Sequence, residues 1–321
     1  MDPSQDRAII SGCSMVSIGT HKLFISVTGP SRTPLDPIVV VLAGAGDVAS
    51  SYVVVERLVC SFARILLYDR SGLGRSEGGP NQYTASIAAS ELHMLLIQAQ
   101  ISPPLLLVGH SYGAIVAREY LHLYPDNVAG MVLFEAATER QSDFFRIPDP
   151  DISGVMGNLN YAQVTGLKTD SKLSREEWRT RAADISRGAA AWQAEASSFA
   201  EVCKALRRKE QYKRKALGAK PLSVIRANSS RDYQRIYEKG IEAGNGTEEQ
   251  REAFRQMLNK WEDVDREMKE EQLLLSFNSR LVHIPDCGHH VHLVRPDILV
   301  QEIRWVKDRI SGEPEGSIEK L

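Results

Sequence analysis

The chain has 321 residues, of which 43% are hydrophobic and 25% charged, and its formal charge is −2 at pH 7. That length suits one large domain with an insertion or two small domains, with ample apolar material for a core. The near-neutral balance argues against a dedicated nucleic-acid binder, and the absence of a run of about 18 apolar residues argues against a membrane span. The four cysteines, Cys13, Cys60, Cys203 and Cys287, are far apart and form no C-x-x-C pair, so they read as idle thiols of a reducing compartment. No basic stretch followed by an apolar run opens the sequence. Glu319-Lys320-Leu321 departs from a peroxisomal address at its first residue, and the expectation is a cytoplasmic protein.

Taken in chain order, residues 14–18 and 22–28 are short apolar runs around Gly19-Thr20-His21 and predict a hairpin. Ile38–Leu42 is apolar throughout, as suits a strand buried on both faces. The pattern returns at Arg64–Tyr68, Leu105–Val108 and Gly130–Phe134. Helical segments lie between these runs, at about 84–99 and from near Tyr112 to the residue before Pro125. Strands alternating with helices predict a mostly parallel sheet covered on both faces. After Glu135 the rhythm breaks. Residues 138–219 offer no buried strand and predict a helical cap, beginning one helix at the capping box Ser174–Glu177. Pro221–Ile225 reads as a returning strand. A second helical insert, about 232–276, carries Phe254, Met257, Leu258, Trp261, Val264 and Met268 at helical spacing, which reads as core packing. Arg280–Ile284 is the last strand, and Pro296 opens a terminal helix to about Ile310.

One segment carries chemistry: Gly109-His110-Ser111-Tyr112-Gly113, a G-x-S-x-G between a predicted strand and a predicted helix. A turn that tight strains the serine backbone and tolerates only small flanking residues, here Gly109 and Gly113. The Tyr112 N–H then lies at a helix N-terminus, suited to receive an oxyanion. The same strand–turn–helix setting makes an idle turn serine the weaker reading.

Two further segments extend the pattern. They are Asp69-Arg70-Ser71-Gly72-Leu73-Gly74-Arg75-Ser76, and Gly288-His289 with Pro296 beyond it. Together with the Ser111 segment, and in this order, they resemble the α/β-hydrolase superfamily over nearly the whole chain. The resemblance implies an α/β-hydrolase fold: a mostly parallel central sheet with helices on both faces, a core of residues 1–137 and 220–321, and an inserted helical cap at 138–219. It also implies that Ser111 is the nucleophile, that His289 is its base, and that Ala45 and Tyr112 supply the oxyanion hole. In most members a His precedes the first glycine of the oxyanion loop; Ala43 stands there in this chain.

The acid partner follows the nucleophile and precedes the histidine in chain order. Glu135 occupies one of the family's two places, like the acid of haloalkane dehalogenases that use Glu and of zearalenone-type lactonases. Ser230 occupies the other place and cannot do the work, but Asp232 lies two residues on and remains the alternative. Phe144, Phe145, Tyr161, Trp178 and Trp192 are candidate pocket residues, though each also reads as core. Cys287, His290 and His292 crowd His289, but their spacing fits no common zinc pattern, so no metal and no cofactor is expected.

A rival reading starts from Gly44, Gly46 and Ala49 with Asp69 beyond, which spell a dinucleotide-binding fingerprint of an NAD(P)-dependent oxidoreductase. It leaves Ser111 and His289 unexplained. The expected activity is hydrolysis of a carboxylic ester or lactone of a small, largely apolar molecule. A lyase, an acyltransferase or a ligand receptor on the same fold are the alternatives.

Overall fold

Each of the five residues of β3 (Ile38–Leu42) is apolar and buried, which only an interior strand covered on both faces allows. A computed structural model describes residues 11–80, 82–144 and 146–312. In it β3 is one of eight strands, with β1 (Gly12–Ser17), β2 (Lys22–Thr28), β4 (Ile65–Tyr68), β5 (Leu105–His110), β6 (Val128–Phe134), β7 (Gly218–Ala227) and β8 (Ser276–Ile284). Their order is β1-β2-β4-β3-β5-β6-β7-β8. β1 and β2 pair antiparallel, as does β2 with β4, and every later pair is parallel. This is the expected mostly parallel sheet with an antiparallel edge. β7 and β8 begin three and four residues before the positions expected from the sequence.

The period of two along each strand divides the core. Ile38, Val40, Leu42, Met131 and Leu133 face helices α2 (Ala85–Gln98) and α3 (Tyr112–Leu123). Val39, Val41, Val132 and Phe134 face α1 (Val53–Val59) and the last helix, Pro296–Ser311.

Two helical inserts leave the sheet at the ends of β6 and β7. The first holds α4 (Pro150–Met156), the one-turn helices α5 (Tyr161–Val164) and α6 (Leu167–Asp170), α7 (Arg175–Arg187) and α8 (Ala189–Arg207). The second holds α9 (Ser229–Glu242) and α10 (Glu248–Glu271). Capping boxes start α7 at Ser174/Glu177 and α10 at Thr247/Gln250, each satisfying two backbone N–H groups that the helix leaves orphaned. The sequence reading keeps the two inserts apart. In the structure Val155 of α4, Ile236 of α9 and Phe254 of α10 share one apolar cluster. Among the described residues no helix is long and apolar enough to cross a membrane, and the four cysteines are free. Phe145, the first ten residues and the Glu319-Lys320-Leu321 tail lie outside the described residues.

Candidate active site

β5 ends at His110, α3 begins at Tyr112, and Ser111 makes the whole turn between them at φ 48°, ψ −122°. A left-handed backbone at a residue with a side chain costs energy and is retained only where its surroundings enforce it. The enforcement comes from close packing. A Cβ on Gly113 would lie 2.0 Å from the Leu42 carbonyl oxygen, and one on Gly109 would lie 2.7 Å from Ala114 Cα. Tyr112 is the first residue of α3, so its N–H has no intrahelical acceptor.

Glu135 follows β6, also at positive φ (44°). Its N–H donates to the Ile225 carbonyl at 2.9 Å, and its Oε1 accepts from Ala227 N–H at 2.7 Å, so both ends of the residue are tied to β7. The other carboxylate oxygen lies 3.2 Å from His289 Nδ1. Burial works to raise the Glu135 carboxyl, but Lys269, His289 and the Ala227 N–H outweigh it and bring the pKa to about 2. Lys269 is itself buried and donates to Asp265 at 2.8 Å.

His289 sits on the loop after β8. Its main chain is fixed at both ends: its N–H donates to Asp232 Oδ2 at 2.9 Å, and its carbonyl oxygen lies 3.1 Å from His110 Nε2. Asp232, the alternative acid, therefore meets the backbone of His289 while Glu135 meets its ring. The contact is close, because a Cβ on Gly288 would fall 2.1 Å from the Asp232 carboxylate. Burial raises the Asp232 pKa and the His289 N–H opposes that rise.

Ser111, Glu135 and His289 line one cavity of about 400 Å³. The bond between His289 and Glu135 is formed; among the described residues no side chain hydrogen-bonds the Ser111 hydroxyl. Of the five aromatic residues expected at the pocket, Tyr161 and Trp192 line it. Two do not, which corrects the expectation. Phe144 is 38% exposed beside Arg140, and Trp178 on α7 stacks with Arg181, 5.3 Å from its ring. The cavity lining is mixed. Ile147, Ile152 and Ile236 supply apolar wall, but Lys269, Asp265, Ser229 and Asp232 are part of the lining too. Trp261, expected in core packing, is buried and lines the cavity, with its indole N–H on Ser229 Oγ at 2.9 Å.

The loop bearing Ala45 lacks the usual histidine support, and two residues the sequence reading missed hold it instead. Arg70 donates to the Ala43 and Gly44 carbonyls at 2.6 and 2.7 Å. Glu195 of α8 accepts from Gly46 N–H at 2.9 Å and pairs with Arg70 at 2.7 Å. The signal for Glu195 was present: it falls in the buried stripe Ala191, Glu195, Phe199, Val202, Leu206, where an acid needs a partner.

The histidine crowd differs from the cysteine–histidine group read from the sequence. His110, His290 and His292 bring ring nitrogens within 4.8 Å of one another, while Cys287 packs in the core with its thiol 3.3 Å from the Gly288 carbonyl oxygen. Both nitrogens of His110 are engaged, one with Tyr52 Oη at 3.1 Å and one with the His289 carbonyl. His292 stacks on Tyr52 with its Nε2 3.4 Å from Asp47. Asp69, the ribose-binding acid of the rival reading, is buried, with one oxygen accepting from Ala49 N–H at 2.7 Å and the other from Arg75 N–H at 2.9 Å. Both oxygens are used in closing the turn, which leaves no open carboxylate for a ribose.

Residues 39–302 match the model of the Alpha/beta hydrolase family. An AB hydrolase superfamily protein of Gibberella zeae is 32% identical over 298 residues, covering 89% of this chain and 91% of that protein. "Probable transporter efuK" of Hormonema carpetanum is 31% identical over 307 residues, 93% of this chain; the chain spans only 43% of that protein's length. The crystal structure of esterase RhEst1 from Rhodococcus sp. superposes with a TM-score of 0.61 at 17% identity, covering 93% of this chain and 99% of that one. The match over most of its length, on an eight-stranded sheet with the serine at a strained strand-to-helix turn, means that the chain belongs to the alpha/beta hydrolase family.

Proposed function

We propose that the protein is a serine hydrolase that cleaves a carboxylic ester or lactone of a small molecule through an acyl-enzyme on Ser111. The observation that carries this reading is the orientation of one ring. Glu135 holds His289 by Nδ1, which leaves Nε2 free to serve as base, and the ring lines the same cavity as Ser111.

In the proposed reaction His289 Nε2 takes the Ser111 proton as Oγ attacks the carbonyl carbon. Glu135, ionised at any working pH, stabilises the imidazolium that forms. The N–H groups of Ala45 and Tyr112 receive the oxyanion. His289 then gives its proton to the departing alkoxide. Water enters, His289 activates it, and the acyl-enzyme breaks to release the acid.

The two inserts together act as a lid. Ile147, Ile152 and Trp192 from the first and Tyr233, Ile236 and Trp261 from the second wall the cavity and limit water around the reacting atoms. The mixed lining fits an ester with both an apolar body and a hydrogen-bonding group, rather than a plain alkyl ester. Hydrolysis of p-nitrophenyl butyrate by the purified chain, lost in Ser111→Ala, tests the reading. Turnover that persists in Ser111→Ala refutes it. Tight binding of aryl esters without any turnover favours a receptor.

A further inference from the structure

The Ala45 loop contains three successive peptide groups whose orientations can be read from their partners. The first, between Ala43 and Gly44, has its carbonyl on Arg70 at 2.6 Å and its N–H toward Tyr52 Oη at 3.4 Å. The second, between Gly44 and Ala45, has its carbonyl on Arg70 at 2.7 Å. The third, between Ala45 and Gly46, has its N–H on Glu195 at 2.9 Å. A trans peptide is planar, and its C=O and N–H point in opposite directions. Arg70, together with the Asp47 N–H that the same oxygen accepts at 3.1 Å, therefore holds the Gly44 carbonyl on its side and directs the Ala45 N–H the other way. Glu195 fixes the next plane, so the peptide bearing that N–H is clamped on both sides.

Of the N–H groups of these three peptides, only that of Ala45 has no protein acceptor among the described residues. The clamp itself is rigid. Arg70 and Glu195 are 4% and 3% exposed and are joined by two contacts, at 2.7 and 3.0 Å. One turn before Glu195, the Trp192 ring closes on the same loop: a Cβ on Gly46, which has φ +64°, would lie 2.5 Å from Trp192 Cδ1. One helix of the first insert thus touches the oxyanion loop through both an ion pair and a ring, and Trp192 also lines the cavity.

We propose that the buried Arg70–Glu195 pair is a positioning device for the oxyanion hole, with Glu195 of the lid insert holding the Ala45 N–H in the orientation that receives the developing negative charge. The inference rests on the serine-hydrolase reading above. Arg70 and Glu195 do not touch substrate. They act through the peptide they hold, so their loss weakens transition-state binding and spares ground-state binding.

The test uses the full chain, p-nitrophenyl butyrate as substrate and phenylboronic acid as the mimic of the tetrahedral state. Glu195→Gln keeps an acceptor for Gly46 N–H but loosens Arg70. Its kcat falls about 10- to 100-fold, KM moves less than about 3-fold, and the inhibition constant of phenylboronic acid rises by the same factor as kcat/KM falls. The paired exchange Arg70→Met/Glu195→Leu leaves no lone buried charge, and it removes at once the hydrogen bonds that the pair makes to the Ala43 and Gly44 carbonyls and to Gly46 N–H. It melts as a folded protein yet loses about 100- to 1000-fold in kcat with KM retained. A folded paired variant with wild-type kcat and boronate affinity overturns the inference. So does a variant whose melting temperature falls while both constants hold, since that is a purely structural role. If wild-type turnover is unaffected by Ser111→Ala, the hydrolase reading fails first; if only the Glu195 and Arg70 variants behave as wild type, that reading stands and the positioning role falls.

Discussion

Replacing Glu135 by Gln separates the two carboxylates near His289 more sharply than any other change. Gln has the same shape and keeps an oxygen for the Ala227 N–H at 2.7 Å. What it presents to His289 Nδ1, 3.2 Å away, is then an amide N–H instead of a carboxylate oxygen. Two donors cannot share that contact, so the ring takes the tautomer with its proton on Nε2 and no longer accepts the Ser111 proton. In Ser-His-acid triads an acid-to-amide exchange of this kind costs about 10⁴ in kcat, which is about 5.4 kcal/mol of barrier. Asp232→Asn behaves differently. The Asn oxygen still accepts from His289 N–H, and what is lost is the carboxylate charge beside that N–H and the Tyr161 hydroxyl, about 1 kcal/mol or roughly 5-fold in rate. The two variants, assayed side by side for kcat on p-nitrophenyl butyrate at pH 8, therefore differ by about three orders of magnitude. The reasoning is refuted if Asp232→Asn is the more damaged enzyme, or if the two lose activity equally.

Two other consequences can be measured without a substrate. Glu135 is held at about 2 against an ordinary 4.5, so its contribution to stability is complete above pH 4.5 and is lost as pH falls toward 2; Glu135→Gln flattens that part of the acid-unfolding profile. Burial, then neighbouring histidines, depress His110 and His290 well below the ordinary 6.5, so the unfolded chain protonates there first and urea-unfolding free energy declines as pH drops below 6.5. The slope for the buried His110 is about 1.4 kcal/mol per pH unit, and a flat profile between pH 7 and 5.5 contradicts its burial. Packing at the turn gives a third prediction. Gly113→Ala places a Cβ 2.0 Å from the Leu42 oxygen, so it costs about 1–3 kcal/mol or more by thermal melting and abolishes turnover, while Gly78→Ala, whose Cβ would have 3.6 Å to its nearest neighbour, is neutral.

The sheet and the candidate triad were legible in the sequence because both are written locally. Ile38–Leu42 and Leu105–Val108 have no polar side, which leaves them no place but an interior parallel strand. Gly109 and Gly113 flank Ser111 because nothing larger fits the turn. Glu135 was placed by its position at the end of a strand, and its contact with the ring of His289, which follows β8, is a matter of β6 and β8 flanking β7 in the sheet. The cavity wall was legible only in part, at Tyr161 and Trp192. Trp261 sits in an apolar helical stripe with Phe254 and Met268, and periodicity alone does not distinguish the residue that faces a cavity from those that face a core. Nor does it reveal that α9 and α10 meet α4, since that contact joins segments about 80–100 residues apart through single residues such as Val155 and Ile236. Arg70 stands in the Asp69–Ser76 segment and Glu195 in an apolar helical stripe, so each carries a local signal, but their partnership spans 125 positions and no local pattern pairs them.

The most direct measurement is covalent capture of the nucleophile. A fluorophosphonate probe is incubated with the purified chain and the modified peptide is sequenced by mass spectrometry. The account predicts one adduct, on the hydroxyl of Ser111, formed at a rate that collapses in His289→Ala. Modification at another residue, or an unmodified Ser111 under conditions that label a known serine esterase, contradicts it.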